Sequence, residues 1–383
     1  MKFTVPRSEF LPAVQSVLNV VSPRATLPII ANILMQLKGQ ELSLYATDLD
    51  TSIRTQVSVT KGADGAIALP AKKLAEIVRE LPDADIYFTA DGTKAKMTCG
   101  KGTFGLAGMD SEDFPPFPEA LSGQTLTLKQ SLLSRMIHHT IYSTSRDETR
   151  PALQGVLWHL ENEKMIMVAT DGHRLAKISE TLKSTGGDAS KFATTDIIIP
   201  AKTLNHLLRL FDEEDTEIKM NIMENQVVFS LDGTTLYSRL IEGPYPDYEQ
   251  VIPKDNDKQL RIDREAIYSA MRSVSTLSNA LTHQVKFDLS TDQVVLTASD
   301  RDLGGEARMT LEKSKTEYQG DHLQIGYNAN YIMEIMRHID SSEVIFELST
   351  PVRAGLVKPS QQPEGEEYLC LIMPLRLTDE TSE

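Results

Sequence analysis

The sequence predicts an α+β protein built from three tandem copies of one domain, each with two helices packed on antiparallel sheets. Two observations lead to this prediction. Three short landmarks recur in the same order along the 383-residue chain, spaced by roughly one third of its length. Between them, runs with the two-residue period of strands surround segments with helical periodicity. A repeat this long does not fit a solenoid, whose units have about 20 to 50 residues.

The first landmark is a short strand that runs directly into an amphipathic helix. The strands lie at residues 3–5, 126–128 and 260–262. Each following helix carries a stripe of residues spaced i, i+4, i+7, which predicts one buried face. The stripe residues are Phe10, Val14 and Val17 in the first copy, Leu133, Ile137 and Thr140 in the second, and Ile267, Met271 and Val274 in the third.

The other two landmarks mark a strand end and the start of a second helix. Ala-Thr-Asp at 46–48 recurs as Ala-Thr-Asp at 169–171 and as Ala-Ser-Asp at 298–300. Pro-Ala-Lys-Lys-Leu at 70–74 recurs as Pro-Ala-Lys-Thr-Leu at 200–204 and more loosely as Asn-Ala-Asn-Tyr-Ile at 328–332. The predicted helices span residues 6–21, 71–81, 129–142, 201–211, 263–277 and 328–340. About eight short strands complete each copy.

Polar stretches separate the copies. Residues 119–124 contain Ser and Gly, and residues 253–259 are rich in Asp, Asn and Lys, which is typical of exposed connectors. We therefore expect domains at residues 1–121, 125–253 and 258–377, followed by a polar C-terminal tail at 378–383.

Composition excludes several classes of protein. The chain carries 39 Lys and Arg against 54 Asp and Glu, a net charge of −15, so its average surface repels nucleic acid and anionic membranes. No run approaches the roughly 18 apolar residues of a membrane span, and the N-terminus lacks the apolar region of a signal peptide. Cys99 and Cys370 have no partner at metal-ligand spacing, which predicts two buried thiols in a reducing compartment. We expect a cytoplasmic protein without metal or cofactor.

Charge is unevenly divided between the predicted helices and the rest of the chain. The six helical segments carry a net charge of +4, which leaves −19 for the sheets and loops. Basic residues on an amphipathic helix are usually its solvated face. The segregation is equally compatible with helices that face an anionic partner, and both interpretations stay open.

Differences between the copies are the natural place to look for function, because features shared by all three are explained by folding. After the shared Asp, only the second copy continues as Gly-His-Arg-Leu, at 172–175. Asp-Gly is a strong turn signal, which accounts for Asp171 and Gly172 but not for His173 and Arg174.

The end of the chain has no counterpart in the other copies. The apolar run at 368–373 predicts a final strand that stops near Met373, because Pro374 cannot donate to a ladder. Leu375 and Leu377 then lie beyond the regular sheet. There they either pack into the domain or line a groove for a partner.

These features resemble those of a known family. The run Ala-Thr-Asp-Gly-His-Arg-Leu at 169–175, Arg150 with Leu153 and Gly155, Tyr-Pro-Asp-Tyr at 245–248 and Met-Pro-Leu-Arg-Leu at 373–377 are similar to those of bacterial DNA polymerase III β subunits, the replicative sliding clamps. The resemblance extends through Leu377. It implies a head-to-tail homodimer closed into a ring of six domains, with helices lining the hole and sheets outside.

The resemblance also implies what such a ring does. It would be a non-catalytic processivity factor that encircles double-stranded DNA and tethers other proteins through a peptide-binding pocket. Those proteins would be the catalytic subunit of DNA polymerase III, the clamp loader, and other polymerases and repair proteins that carry short linear motifs.

The family's peptide pocket lies between the second and third domains. Carried over by match, its lining would include Leu153, Thr170, Gly172, His173, Arg174, Leu175, Pro246, Val251, Leu371, Met373, Pro374, Leu375 and Arg376. His173 and Arg174 would orient polar groups of the peptide. Two departures concern this pocket: Gln250 stands where some members of the family have Arg, and six residues follow Leu377.

DNA-facing and dimer-forming residues follow from the same resemblance. DNA would face Arg24 and Arg150 on loops and the helical residues Lys72, Lys73, Arg79, Lys129, Arg135, Lys202 and Arg209. A head-to-tail contact would join Phe104 and Leu106, on an edge strand of the first domain, to Leu277 in the third.

Two other functions compete with this one. Asp171 and His173 with a nearby Ser or Thr could form a hydrolase site, although no nucleophile elbow, zinc motif, P-loop or dinucleotide fingerprint accompanies them. Asp48 and Asp300 occupy the same repeat position without a His two residues later, which favours a turn role for Asp171. A protein-binding scaffold that does not enclose DNA is the other alternative.

Overall fold

A computed structural model describes residues 1–22, 27–117, 123–182, 194–212, 214–300 and 304–377. Arg24 and the C-terminal tail at 378–383 lie outside the described residues. Within the described ranges, strands and helices recur three times in the predicted order. The fold is therefore α+β with three copies of one architecture, as the sequence predicts.

The first repeat opens with a strand that runs into a helix without a loop. Its elements are β1 (Lys2–Pro6), α1 (Arg7–Leu18), β2 (Asn32–Lys38), β3 (Glu41–Thr47), β4 (Thr51–Ser58), β5 (Thr60–Ala63), β6 (Gly65–Pro70), α2 (Ala71–Glu80), β7 (Asp85–Asp91), β8 (Lys94–Cys99) and β9 (Gly102–Ala107).

The second repeat follows the same order without a strand equivalent to β5 in its described part. Its elements are β10 (Gln124–Lys129), α3 (Gln130–His138), β11 (Gly155–Glu161), β12 (Lys164–Thr170), β13 (Arg174–Thr181), β14 (Thr195–Pro200), α4 (Ala201–Leu208), β15 (Glu217–Ile222), β16 (Gln226–Leu231) and β17 (Thr234–Arg239).

The third repeat again has an extra short strand, β22, in the position of β5. Its elements are β18 (Lys258–Asp263), α5 (Arg264–Val274), β19 (Gln284–Leu289), β20 (Val294–Asp300), β21 (Gly305–Leu311), β22 (Thr316–Gln319), β23 (Leu323–Asn328), α6 (Ala329–Arg337), β24 (Glu343–Leu348), β25 (Gly355–Pro359) and β26 (Glu366–Ile372).

The helices are shorter than predicted, but the predicted stripes are buried. All nine stripe residues are 0 to 1% exposed. Eight of them lie in α1, α3 and α5, and Thr140 lies just after α3. α3 ends at His138 and α5 at Val274, and each is followed by a short 3-10 turn, Ile141–Ser143 and Ser275–Leu277. Such turns satisfy carbonyls that the end of an α-helix leaves without partners. Lys129, predicted to be helical, is the last residue of β10.

The chain divides into two compact units. Unit 1 comprises Met1–Ser134 and Lys202–Leu240, and unit 2 comprises Arg135–Ala201 and Ile241–Glu383. Counted over the described ranges, each unit holds two antiparallel sheets. The strand orders are β5-β1-β7-β8-β9 and β10-β15-β16-β17-β4-β3-β2-β6 in unit 1, and β14-β11-β12-β13-β26-β25-β24-β18-β22 and β21-β20-β19-β23 in unit 2.

The two largest sheets each join strands from two repeats. In unit 1, β17 of the second repeat pairs with β4 of the first, with Leu236 opposite Ile53. In unit 2, β26 of the third repeat pairs with β13 of the second, with Leu371 opposite Leu175. The last strand of one repeat thus continues a sheet of the preceding repeat.

The first and third repeats are not joined to each other in this way, and their equivalent strands lie at sheet edges. β9, the last strand of the first repeat, ends its sheet, and β21, the equivalent of β4 and β13, ends another. Neither strand has a second neighbour among the described residues. Such edges present a row of free backbone donors and acceptors.

Aromatic packing in unit 1 shows how the strand–helix start builds a core. Phe3 of β1 stacks on Phe88 of β7 with ring centroids 4.7 Å apart, and it meets Phe10 of α1 edge-on at 6.3 Å. All three rings are fully buried. The residues that alternate with Phe3 and Phe88 therefore point to the opposite face of this sheet.

Candidate functional site

The turn between β12 and β13 is held by the aspartate of the second landmark. Asp171 Oδ1 accepts hydrogen bonds from the backbone N–H groups of His173 at 2.8 Å and Arg174 at 3.0 Å. In the first repeat, Asp48 Oδ1 accepts from the backbone of Asp50 at 3.1 Å and Thr51 at 2.7 Å. This common geometry gives Asp171 the predicted turn role.

Gly172 and Thr170 complete the turn. Gly172 has φ 91°, a conformation that favours glycine, and its N–H donates to Thr170 Oγ1 at 3.1 Å. The Thr170 hydroxyl donates in turn to the Arg174 carbonyl at 2.6 Å. A side chain at position 172 would also approach Arg150 Nη1 to 3.0 Å, so Arg150 lies against this turn.

Strand pairing brings the turn and the end of β26 together, as the sequence analysis expected. The N–H of Met373 donates to the His173 carbonyl at 2.8 Å. β26 ends at Ile372, before Pro374, and Leu375 makes only an isolated bridge to Gly326, with its N–H 2.8 Å from that carbonyl. Gln284 Nε2 donates to the Arg376 carbonyl at 3.0 Å and so holds the next residue.

Beneath this junction lies an apolar cluster. Its buried members are Leu157, Val168, Leu175, Ile198, Leu356 and Leu371. Tyr245, Tyr248, Ile252 and Ala354 are partly buried and pack against them. Leu175 is 2% exposed and Leu371 is 3% exposed, so these two predicted lining residues form a floor rather than a rim.

Several predicted residues form exposed surface above the cluster. Val251 is 55% exposed and Met373 is 42% exposed, so both apolar side chains are open to solvent. His173 and Pro246 are also exposed. Gln250 is turned to Asp247, to which its Nε2 donates at 2.7 Å.

Arg174 differs from the expectation that it orients a bound peptide, because its side chain is almost completely buried. It is 7% exposed. Its Nε lies 3.1 Å from Asp171 Oδ2, its Nη1 pairs with Glu334 of α6, and its Nη2 donates to the Tyr142 carbonyl at 2.7 Å. Its guanidinium also lies 4.5 Å from the ring centroid of Tyr331. Every nitrogen is therefore already occupied.

The surroundings of Arg174 stabilise its charge. Burial works to lower the pKa of Arg174, and the hydrogen bond and charge of Glu334, together with the charge of Asp171, outweigh burial and raise that pKa. The pair joins β13 of the second repeat to α6 of the third within unit 2. Arg174 thus positions the strand that carries Leu175 instead of offering hydrogen bonds to a ligand.

A buried hydroxyl and thiol cluster continues from Arg174. Tyr142 Oη lies 2.9 Å from Tyr368 Oη and 3.1 Å from Cys370 Sγ. Burial raises the pKa of both tyrosines well above the usual value and that of Cys370 to about 11. A thiol with a raised pKa is a poor nucleophile at neutral pH, and Cys99 is likewise buried.

Four residues of this region were not among the predicted lining residues. They are Tyr245, Tyr248, Tyr331 and Ala354. Tyr331 had a signal: it aligns with Lys73 and Thr203 in the third landmark and is the member that differs most in size. Ala354 had none, because it lies in a loop between β24 and β25 that the repeats do not share.

The geometry does not form a hydrolase site at Asp171. Its carboxylate accepts from backbone N–H groups and from Arg174, and no hydrogen bond joins it to the imidazole of His173 among the described residues. The described ranges also hold no group of three His, Cys, Asp or Glu side chains that could bind a metal ion. In the same ranges, no helix is long and apolar enough to cross a membrane.

The predicted DNA-facing residues are in several environments. Lys72, Lys73, Arg79 and Arg209 are exposed on α2 or just after α4, and Lys73 also pairs with Glu76 at 2.6 Å. Lys202 is exposed but pairs with Asp48. Arg150 pairs with Asp147 at 2.8 Å beside the Asp171 turn, where hydrogen bonds from Thr149 and Arg150 lower the pKa of Asp147 to about 2.

Arg135 departs from the predicted DNA-facing role. Its guanidinium lies 3.3 Å from Glu180 and 2.9 Å from Glu366, and Glu366 is largely buried. Two carboxylates therefore lie close enough to offset the charge that a phosphate would need. Arg135 links α3 to β13 and β26 within unit 2.

The predicted dimer residues lie at the two open sheet edges. Phe104, 37% exposed, and Leu106 belong to the edge strand β9, as predicted. Leu277 lies in the 3-10 turn after α5, next to the edge strand β21: a side chain at Gly305 would come within 3.1 Å of Leu277.

Comparisons with known proteins cover almost the whole chain. Family models for the DNA polymerase III beta subunit match its N-terminal domain to residues 1–118, its central domain to 127–247 and its C-terminal domain to 249–376. The chain is 32% identical to the beta sliding clamp of Caulobacter vibrioides over 384 residues, covering 98% of this chain and 100% of that protein. It is 31% identical to that of Chlamydia muridarum over 382 residues, covering 99% and 100%.

Solved structures give the same result. The fold is similar to a DnaN sliding clamp, DNA polymerase III subunit beta, from Bartonella birtlesii bound to griselimycin, with a TM-score of 0.91 and 33% identity over 98% of this chain and 100% of that one. It is equally similar to the Pseudomonas aeruginosa clamp bound to griselimycin, with a TM-score of 0.91 and 30% identity at the same coverage.

Proposed function

Because the chain belongs to the DNA polymerase III beta subunit family, we propose that it works as a ring that encircles duplex DNA and tethers replication proteins to it. It is a DNA sliding clamp, a processivity factor and not an enzyme. Tethering raises the effective concentration of a polymerase at the primer end without any chemistry in the clamp. A cytoplasmic location follows from this role.

Ring closure is supported by the pattern of sheet junctions. Two of the three equivalent junctions lie within the chain, β17 with β4 and β13 with β26, while β9 and β21 are both edges. In a dimer, β9 of each chain could pair with β21 of the other chain. Both β9 edges and both β21 edges would then be paired. A head-to-tail contact that closes after two chains gives a homodimer of six repeats.

The register of this contact can be carried over from the junctions inside the chain. In unit 1, Leu236 pairs with Ile53 and Ser238 with Thr51. Aligning the β16–β17 and β8–β9 hairpins matches Leu236 with Phe104 and Ser238 with Leu106. Aligning the β3–β4 and β20–β21 hairpins matches Ile53 with Ala307 and Thr51 with Gly305. The equivalent contact sets Leu106 opposite Gly305 of the partner, where Leu277 fills the space above the glycine.

The surface over the Leu175–Leu371 floor is the proposed site for linear motifs. Met373 is hydrogen-bonded to His173, and Val251 lies between Tyr248 and Ile252, which pack against the leucine floor. Val251, Met373, His173 and Pro246 are all exposed. One or two aliphatic or aromatic side chains of an extended peptide would be buried there. The catalytic subunit of DNA polymerase III, the clamp loader and repair polymerases are the proposed sources of such peptides.

DNA is proposed to face the helices. Lys72, Lys73, Arg79, Lys202 and Arg209 present exposed basic groups on α2 and in or next to α4, and Arg150 adds one at the Asp171 turn. With a net charge of only +4 over the six predicted helices, phosphate contacts are too few for tight direct binding. Retention then depends on enclosure.

The pocket is tested by truncating two side chains at its rim. We expect the double variant Met373→Ala, Leu375→Ala to weaken binding of a polymerase C-terminal peptide by at least about 2 kcal/mol, because small sites concentrate their energy in a few anchors. Isothermal titration calorimetry measures the change. Leu49→Ala is the matched control, since Leu49 is 45% exposed and follows the equivalent Asp48 turn of the first repeat.

Undiminished peptide binding by the double variant would locate the site elsewhere on the chain. An equal loss in the Leu49→Ala control would mean that the effect is not specific to this surface. In both variants the solution mass is expected to remain that of the wild-type protein.

A further inference from the structure

The five-stranded sheet of unit 1 has a polar face that the sliding-clamp function does not use. On β1, β7 and β8 the buried residues alternate with exposed ones, which share the face opposite Phe3 and Phe88. We call this surface the Tyr87 face. It consists of Lys2, Thr4, Asp85, Tyr87, Thr89, Asp91, Lys94, Lys96 and Thr98.

Its basic residues form a row across the strands. Lys2 lies opposite Thr89, and Thr89 lies opposite Lys96, so a threonine separates two lysines on three adjacent strands. Lys94 follows at the next position of β8, opposite Asp91. Neighbouring strands are about 4.8 Å apart, so the backbone positions of Lys2 and Lys96 are about 10 Å apart.

Two of these three lysines, Lys2 and Lys96, lie opposite Thr89, whereas Lys94 lies opposite Asp91. Within the described ranges, Lys2, Lys94 and Lys96 form no ion pair, and Asp85 and Asp91 lie at the two ends of β7. The equivalent face of the third repeat is different. There Arg261 pairs with Glu343 at 3.2 Å and Lys358 with Glu347 at 2.8 Å.

One substitution contributes to this difference. Glu347 lies opposite Gln259 of β18 as Thr89 lies opposite Lys2 of β1. The first repeat thus has a threonine where the third has a carboxylate. The three lysines of this face outnumber its two aspartates by one, so the face is locally positive in a chain with a net charge of −15.

An aromatic ring stands in the middle of the face. Tyr87 is 47% exposed and lies between Thr4 and Thr98 on the neighbouring strands. Its neighbours on the face are hydroxyl and ammonium groups, so no apolar patch surrounds it. A protein partner would need several apolar anchors, whereas a nucleotide needs one ring for stacking and nearby cations for its phosphates.

We propose that the Tyr87 face binds single-stranded DNA, with one base stacked on Tyr87 and the flanking phosphates held by Lys2, Lys94 and Lys96. Paired bases in a duplex are not available for stacking, so duplex DNA would gain only the charge contribution. This contact is additional to enclosure of the duplex and does not depend on it. It would give the clamp a hold on an unpaired template strand beside the duplex.

The test measures fluorescence anisotropy of a labelled oligothymidylate of about 12 nucleotides with the full-length protein at about 50 mM salt. We expect Tyr87→Leu to weaken binding by about five-fold or more, since one stacked base contributes at least that much. Tyr87→Phe keeps the ring and is expected to bind like the wild type. A duplex of equal length should not distinguish these variants.

The lysines are tested through the salt dependence. In the double variant Lys2→Ala, Lys96→Ala, the slope of log affinity against log salt should become shallower by about 1.4, because each phosphate contact on a single strand contributes about 0.7. Lys313→Ala, an exposed lysine of the third repeat, is the matched control and should leave the slope unchanged.

Oligothymidylate binding that is the same in the wild type and in Tyr87→Leu would overturn the proposal, as would no binding by the wild type. The face would instead be a site for acidic protein if it bound a polyglutamate peptide, if that binding required the lysines, and if Tyr87→Leu left it unchanged. Melting temperatures of the variants close to wild type would show that the fold is intact.

Discussion

At the scale of single residues, Arg174 shows both what a sequence comparison can find and what it misses. Gly-His-Arg-Leu at 172–175 stands out because the other repeats have different residues there. That difference marks the position but not the direction of the side chain. Its partners Glu334 and Tyr142 are 160 and 32 residues away, so only the fold reveals that the guanidinium is buried.

Replacing Arg174 should destabilise unit 2. We expect Arg174→Ala to lower the free energy of unfolding by about 3 kcal/mol, because it leaves Asp171 and Glu334 without their partner. Urea denaturation followed by circular dichroism measures this change. Arg353→Ala removes an exposed pair with Asp255 and should cost less than about 1 kcal/mol. An Arg174→Ala protein as stable as the wild type would show that the buried network contributes little.

His206 of α4 is a residue whose buried state makes a prediction about pH. It is 6% exposed, and neither ring nitrogen has a hydrogen-bond partner among the described residues. Burial, with the positive charge of Lys202, lowers the pKa of His206 to about 4. In the third repeat, the position equivalent to His206 is Glu334, which binds Arg174 of the second repeat. The first repeat has Thr51 at the position equivalent to Arg174.

The sign of the effect follows from the lowered pKa. Between about pH 6.5 and pH 4 the unfolded chain binds a proton at His206 that the folded chain does not, so stability falls as pH falls. We expect the wild type to lose about 2 kcal/mol more than His206→Leu between pH 7 and pH 5. Urea unfolding at both pH values measures the difference. Parallel losses in the two proteins would contradict a neutral, buried His206.

At the scale of elements, the repeats made most helices and strands predictable. The stripes at Phe10, Leu133 and Ile267 identify buried helix faces, and the strand before each helix was found from its alternation. Helix ends were not predicted, because the 3-10 turns after α3 and α5 depend on local hydrogen bonding and keep the same apolar spacing. The sheet junctions were not predicted either, since backbone pairing between repeats leaves no local pattern.

The two internal junctions differ in the side chains that fill them. In unit 1 the ring of Phe117 packs edge-on between Tyr45 at 5.0 Å and Tyr237 at 4.7 Å. Tyr237 lies opposite Ser52 just as Leu371 lies opposite Leu175 in unit 2. The aromatic side chains of the chain itself therefore occupy the first junction, where the second has leucines.

The edge strand β9 makes a prediction about assembly. Replacing Phe104 and Leu106 together by alanine removes the apolar side chains of the proposed β9–β21 contact, and we expect the mass in solution to fall from two chains to one at micromolar concentration. Sedimentation equilibrium measures this mass. Tyr87→Ala, two strands away on the same sheet, is the control and should remain dimeric. A wild-type protein with the mass of a single chain would contradict the proposed ring.

At the scale of the whole molecule, the charge distribution and the proposed function are consistent. A chain with a net charge of −15 cannot hold DNA by its average surface. In the proposed ring, a few exposed basic residues such as Lys72, Lys73 and Arg209 would guide the duplex without holding it tightly, since each phosphate contact weakens as salt rises. The proposed encirclement would not weaken with salt, because it would depend on a closed chain of strand pairings.

The measurement that tests this account most directly is retention on circular DNA. The protein is loaded onto nicked circular DNA by a clamp loader, washed in about 1 M salt, where electrostatic attraction is screened within about 3 Å, and half of the sample is then cut once with a restriction enzyme. We predict that the clamp stays on the intact circles and leaves the linear DNA promptly. Equal retention on both forms would contradict enclosure and indicate ordinary binding.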